Sequence, residues 1–409
     1  MTHFWQGLRS GRWLTAARAR GYSLILLAIC ALAIAGWIAV SDGLIDRNGK
    51  PLGTDFSNVY AAGSLTWQGR PAEAYEPALQ HAAEKAVLGG REVPFYGWHY
   101  PPFFFAVAVL VAAVPYAWGL AIWLAASFAA YLAVMRAILP RPETLLIASA
   151  FPAVFINIGH GQNGFLTAAL LGGALHWLDV RPWLAGVLIG ALAYKPQFGV
   201  LIPLALLAGG RWNTIAAAIA TVAALVAVSF VTLGGGVWHA FADSMNFTQT
   251  VVLEQGGTGW EKIQSAFSAV RMWGAGLHLA YAVQIALALM LAATLAWLWH
   301  GDAAFELKAA GLATASLLAT PYVLDYDLVV LAIAIAFFAR HGLARGFRPF
   351  EISLLAAAWI VPLLSRGIAG ATGVPLGLVA LLIFYGFTLR RAVLDRSSLA
   401  ASAHRVAEA

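Results

Sequence analysis

Charge is scarce in this 409-residue chain: Asp, Glu, Lys and Arg together make up 11% of it. A soluble domain carries about 25%, so an ordinary water-soluble enzyme is excluded. Cysteine is scarcer. The single Cys30 lies inside an apolar run, so no intrachain disulfide can form, and it suits a packing role better than a reactive one. His-Glu-x-x-His, Walker and dinucleotide motifs are all missing, which removes zinc-hydrolase, nucleotide-driven and nicotinamide chemistry from the visible options. No metal site and no cofactor are expected. Strand-like alternation is absent, so a membrane barrel is excluded. No inverted repeat of the transporter kind is visible either.

What is present is apolar. Hydrophobic residues account for 61% of the chain, with 16 Trp and 12 Tyr to serve interfacial belts. Apolar runs recur from Tyr22 to Arg390. They predict an all-α polytopic membrane protein, a helical bundle of about 11–13 membrane segments. The net charge of +6 sits in short basic clusters between these runs. That pattern fits topology and anionic lipid, and no nucleic-acid partner is expected.

Four arginines and no acid precede the first apolar run, Tyr22–Val40. It reads as an uncleaved first helix with its N-terminus in the cytoplasm. Residues 1–400 read as one membrane-embedded domain, with a first outer loop at 42–100 and a second at 234–266. The tail, 401–409, is expected to be disordered. Pro71 opens a helix-like stretch expected to run to Leu88. By the positive-inside rule the tail, Arg340–Arg348, Arg211 and Arg181 share the cytoplasmic side. The alternate connections then lie outside: the Asp325 region, 234–264, Lys195 and His160–Asn163. Between His99 and Arg141 the count requires that Phe103–Val114 be a short re-entrant piece.

The outer connections hold nearly all the chemistry the chain has. Asp55 lies at the start of the first outer loop, where it can cap a helix or act as a base. Around it stand Tyr60, His99, Tyr100, His160, Gln162, Asn163, Lys195, Gln197, Gln264, Arg271, Asp325, Tyr326 and Asp327. Cations and amides suit a phosphate and sugar hydroxyls, and a carboxylate suits deprotonation of an attacking hydroxyl. Plainer roles exist for each. Lys195 can snorkel to the interface; His160 and Gln162 can satisfy a turn; Arg271 and His99 can anchor in the aromatic belt. Asp325 and Asp327 can cap the helix that follows them.

Taken in order, Asp55-Phe56-x-x-x-Tyr60, Tyr100-Pro101-Pro102, Gly161-Gln162, Gly186 with Lys195-Pro196-Gln197, Gln264-Ser265 with Arg271, and Thr320-Pro321 resemble glycosyltransferase family 87. The similarity spans roughly residues 20–390. It implies a GT-C class bundle with its active site at the outer face of a bacterial inner membrane. It also implies a polyprenyl-phosphate sugar as donor, a lipid-linked or glycan acceptor, and no nucleotide. By the resemblance Asp55 is the catalytic base of an inverting transfer. Lys195, Arg271 and His99 are then expected at the donor phosphate, and the other polar residues at sugar and acceptor. Mannosyltransferases of the family commonly carry a histidine after the Thr/Ser-Pro pair. Here Tyr322–Asp327 has none, so mannose is not implied. A transporter or flippase of lipid-linked sugars is the alternative reading.

Overall fold

The computed structural model describes residues 2–407, as helices joined by turns. No named strand occurs among the described residues; pairing between distant segments is limited to isolated bridges such as Ile263 with Leu324. Among the described residues, seven helices are long and apolar enough to cross a membrane: Ala16–Ala39, Tyr116–Ile138, Trp212–Leu233, Leu277–His300, Asp325–Arg345, Glu351–Thr372 and Leu376–Ser397. At 1.5 Å per residue the first reaches roughly 36 Å, enough for the hydrocarbon core. Four shorter apolar helices accompany them: Pro102–Ala112, Gly164–Trp177, Pro182–Tyr194 and Pro196–Ala208. The chain is a multi-pass membrane protein, and Asp325–Arg345 is its most enclosed long helix.

Proline decides where several elements begin or break. The run 145–158, which reads as one segment, is two helices, Thr144–Ser149 and Pro152–His160. Pro152 has no N–H to continue the first. The stretch after Pro71 likewise divides into a 3-10 turn, Pro71–Tyr75, and a helix, Pro77–Val87. Pro77 fits the first turn of the new helix, where an N–H is not needed. The second polar interval is mostly helical: Gly235–Phe247, a π-helical stretch Thr248–Glu254, and a 3-10 turn Trp260–Lys262. The last helix runs to Ala407. Residues 401–407 continue that helix. Residues 408 and 409 lie outside the described residues.

The short Pro102–Ala112 segment is tied at both ends to the first polar interval. Tyr75 donates to the Tyr100 carbonyl at 2.8 Å, before the segment, and Tyr60 donates to the Val114 carbonyl at 2.9 Å, after it. Tyr116 then donates to Leu52 O at 2.8 Å. Both ends of the segment thus return to the first polar interval. Its partner is the helix Phe56–Trp67, which approaches so closely that a Cβ on Gly63 would overlap the Ala108 carbonyl.

Away from the polar turns, ion pairs tie helix ends together: Arg211–Asp179 at 2.7 Å, Arg340–Glu306 at 3.4 Å, Arg20–Glu143 at 3.3 Å and the buried Arg391–Glu351 at 2.7 Å. An apolar groove of about 780 Å³ opens there, lined by Trp13, Tyr22, Phe151, Ile335 and Trp359 among others, and it holds none of the candidate site residues. The polar turns converge apart from this groove.

Candidate functional site

Two glycine turns bring distant parts of the chain together. Gly53 and Gly161 both have positive φ, 68° and 62°. A Cβ on Gly161 would lie 2.7 Å from Phe56 Cβ and 3.1 Å from Gly53 Cα, so the second turn reaches the first only because Gly161 lacks a side chain. Across this contact the Asp55 N–H donates to His160 O at 2.9 Å. Asp55 occupies the N-cap position of Phe56–Trp67, yet its carboxylate makes no capping bond. It turns instead toward the second glycine turn. Oδ2 accepts from Gln162 Nε2 at 3.1 Å. Oδ1 accepts from Thr54 Oγ1 at 3.4 Å, and that hydroxyl lies 2.8 Å from His160 Nδ1. The Asp55 side chain is 19% exposed, which leaves it within reach of a substrate.

Gln162 is the hub. Its Nε2 also donates to the Tyr326 hydroxyl at 3.1 Å. Its Oε1 accepts from the Asn163 N–H at 2.8 Å and from the Tyr100 hydroxyl at 3.3 Å. A backbone N–H can only donate, so this bond fixes which end of the amide is oxygen. Asn163 Nδ2 in turn donates to the Tyr100 hydroxyl at 2.8 Å. Burial, and secondarily the charge of Asp55, raises the Tyr100 phenol above its ordinary range, so it stays protonated.

Lys195 and Asp327 meet in a buried ion pair. Nζ lies 2.6 Å from Asp327 Oδ1, with side-chain exposures of 6% and 3%. The same ammonium faces the Tyr326 ring at 5.2 Å. Asp327 Oδ2 accepts from the Leu324 N–H at 3.0 Å, so this carboxylate does cap its short helix, as sequence allows. Asp325 points elsewhere: Oδ2 lies 3.9 Å from Arg366 Nη1, while Oδ1 accepts from the Tyr326 N–H at 2.9 Å. The two aspartates diverge toward different cations.

The structure therefore joins Asp55, Tyr100, His160, Gln162, Asn163, Lys195, Tyr326 and Asp327 in one cluster, with Asp325 at its edge. Gln264 reaches the same edge through its backbone, donating to Val323 O at 2.8 Å. Four candidates lie apart. Tyr60 spends its hydroxyl on Val114 O and packs its ring on Tyr116 at 5.2 Å. Gln197 is half-buried on the turn after Lys195 and makes no side-chain hydrogen bond among the described residues. Arg271 donates to Ala275 O at 2.7 Å and Glu254 O at 3.3 Å, which ties two loops together. His99 lies 2.7 Å from the Thr248 hydroxyl. Burial pulls the His99 imidazole down to about 4, against a smaller upward pull from Asp55. It is neutral at ordinary pH and carries no charge for an anion.

Sequence reasoning overlooks three contributors. Asn157, fully buried, clasps the glycine turn: Nδ2 donates to Gln162 O at 2.9 Å and Oδ1 accepts from the Gly164 N–H at 2.8 Å. A lone Asn in an apolar run is itself a signal. Arg366 and Lys262 flank Asp325, and their positions near the ends of elements could have marked them.

The profile of glycosyltransferase family 87 matches residues 98–321, more than half of the chain. That stretch contributes Tyr100, His160, Gln162, Asn163 and Lys195, and the fold brings Asp55 and Tyr326 to them from either side. No curated protein and no solved structure matches the chain. A multi-span helical bundle with its polar turns converging at one end, matched by this profile over 98–321, is a membrane glycosyltransferase: the chain belongs to glycosyltransferase family 87.

Proposed function

We propose that the chain transfers a sugar from a polyprenyl-phosphate donor to a lipid-linked or glycan acceptor, with inversion, at the outer face of a bacterial inner membrane. Asp55 is the general base. The observation that carries this reading is the Asp55 carboxylate itself. It stands at a helix N-cap without capping, is partly exposed, and is aimed by Gln162. In the reaction the acceptor oxygen attacks the anomeric carbon and its proton passes to Asp55. The bond from that carbon to the bridging oxygen breaks, and the oxygen leaves with the polyprenyl phosphate. Inversion follows from a single in-line displacement.

Gln162 holds the base in place, a positioning role that keeps the receiving atom within hydrogen-bond reach. Tyr326 offers its hydroxyl and His160 its ring edge to sugar and acceptor, while Tyr100 holds Gln162 and Asn163 in place. Lys195 and Asp327 brace Tyr326 from behind, since their charges already satisfy one another. Membranes carrying Asp55→Asn and supplied with radiolabelled polyprenyl-phosphate sugars test the base. Transfer should fall at least 10²-fold, within the range general-base removal produces. Transfer at near wild-type rate overturns the mechanism. Movement of the labelled lipid across proteoliposomes without glycosidic bond formation overturns the transferase reading in favour of a flippase.

A further inference from the structure

The donor class proposed above requires a cationic seat for its phosphate, and this inference rests on that reading. Lys195 is held by Asp327 and Arg271 by two backbone carbonyls, so neither is poised for an anion. Two other cations are. Lys262 ends the 3-10 turn Trp260–Lys262, which packs on Glu351–Thr372, the helix that carries Arg366. Gln264 fixes that turn, its Nε2 donating to the carbonyls of Glu261 and Lys262 at 3.0 and 3.2 Å. Arg366 lies 3.9 Å from Asp325 and keeps 45% of its side chain exposed, against 2% for Asp325.

Lys262 makes no ion pair of its own among the described residues. Burial lowers its pKa first, and repulsion from Arg366 lowers it further; Asp325 and Asp55 pull the other way. Glu261 turns aside, with its side-chain carbons against Gly370. Two cations thus stand beside one buried carboxylate, with nearly half of the Arg366 side chain exposed. A phosphodiester carries one negative charge. Asp325 is followed directly by Tyr326, whose hydroxyl shares the Gln162 amide with Asp55. Asp55 acts electrostatically on Lys262, so the base and the two cations belong to one neighbourhood.

We propose that Lys262 and Arg366 form the seat for the lipid-linked phosphate of the donor and of the polyprenyl phosphate that leaves. As the leaving oxygen gains charge, the guanidinium and ammonium hold it more strongly.

The test is binding to the full chain in neutral detergent, with polyprenyl monophosphate, the matching polyprenol, phosphatidylglycerol and inorganic phosphate as separate probes. Wild type should prefer polyprenyl monophosphate over polyprenol by at least about tenfold, and bind the other two weakly. Lys262→Gln and Arg366→Gln should each erase most of that preference, with Arg366→Lys intermediate, while melting curves stay close to wild type. An undiminished preference in the folded variants overturns the assignment. So does equal affinity for phosphatidylglycerol, which would mark a general headgroup site. Asp55→Asn should retain the preference. If it retains transfer as well, the base reading fails and the phosphate seat stands. If wild type shows no preference at all, the donor reading fails.

Discussion

Gln162 and Asp55 are joined by a 3.1 Å bond from an amide whose other hydrogen goes to Tyr326 at the same distance. The proposed base and the tyrosine are thereby held on one planar group. Gln162→Glu keeps the shape, removes both donors and sets a second carboxylate beside Asp55. We expect kcat to fall at least 10²-fold with the donor KM within about threefold, since positioning is lost while the binding surface is kept. Steady-state kinetics in proteoliposomes check this. A drop confined to KM would mean that Gln162 serves binding instead.

Lys195→Met leaves the Asp327 carboxylate buried without its cation. Removing one partner of such a pair costs about 3–5 kcal/mol. A large fall in melting temperature is expected, and Lys195→Met with Asp327→Asn should recover a good part of it. If Lys195→Met melts like wild type, the ammonium is not holding the turn.

Glu84 is fully buried on the first polar interval, where it accepts from the Tyr96 N–H at 3.1 Å. Burial drives its carboxyl from 4.5 up to about 9. Between those values the unfolded chain has lost a proton that the folded chain keeps. Stability from this group is therefore full at low pH and declines as pH rises toward about 9. Glu84→Gln should remove that decline and gain up to about 5 kcal/mol at pH 8, at about 1.4 kcal/mol for each pH unit above 4.5. Paired melting curves across pH 5–9 read the difference.

His99 has the opposite sign. Its folded value of about 4 lies below the roughly 6.5 of an unfolded chain. The unfolded state binds a proton first, so stability is lost as pH falls from about 6.5 toward 4. His99→Gln, which can still bond Thr248, should flatten the acid side of the curve. It should leave donor affinity at neutral pH within about twofold, because a neutral imidazole offers the phosphate no charge.

Gly63 faces the Ala108 carbonyl with no room for a methyl. Gly63→Ala forces Phe56–Trp67 and Phe105–Ala112 apart, at a cost of about 1–3 kcal/mol. Because Asp55 precedes the first of these helices, transfer should weaken along with stability. Unchanged melting would show that the two helices do not pack as described.

The bundle was legible from composition because lipid leaves the backbone few choices. The polar end was legible because a chain with so little charge displays its exceptions; Asp55, Gln162, Lys195 and Asp327 all stand out as polar breaks between apolar runs. What sequence could not supply was pairing. Whether Lys195 meets a substrate or Asp327 depends on a contact across 132 residues, and spacing along the chain says nothing of it. His99 reads as a cation until burial strips its charge. Lys262 and Arg366 look like ordinary interfacial residues until the fold sets both beside Asp325.

The two tyrosines of the cluster end up with unlike hydroxyls. Tyr100 gives its hydrogen to Gln162 and receives one from Asn163, so its bonds are closed within the protein. Tyr326 only receives, from the same amide, and its own hydrogen has no acceptor among the described residues. One glutamine thus imposes a direction on the whole ring of groups. Of the groups that bond to Gln162, the phenolic hydrogen of Tyr326 is left without an acceptor among the described residues. Under the proposed reaction, a sugar at this cluster would meet a free phenolic donor at Tyr326 and an electron-rich carboxylate at Asp55, two opposite polarities set apart by the width of one amide.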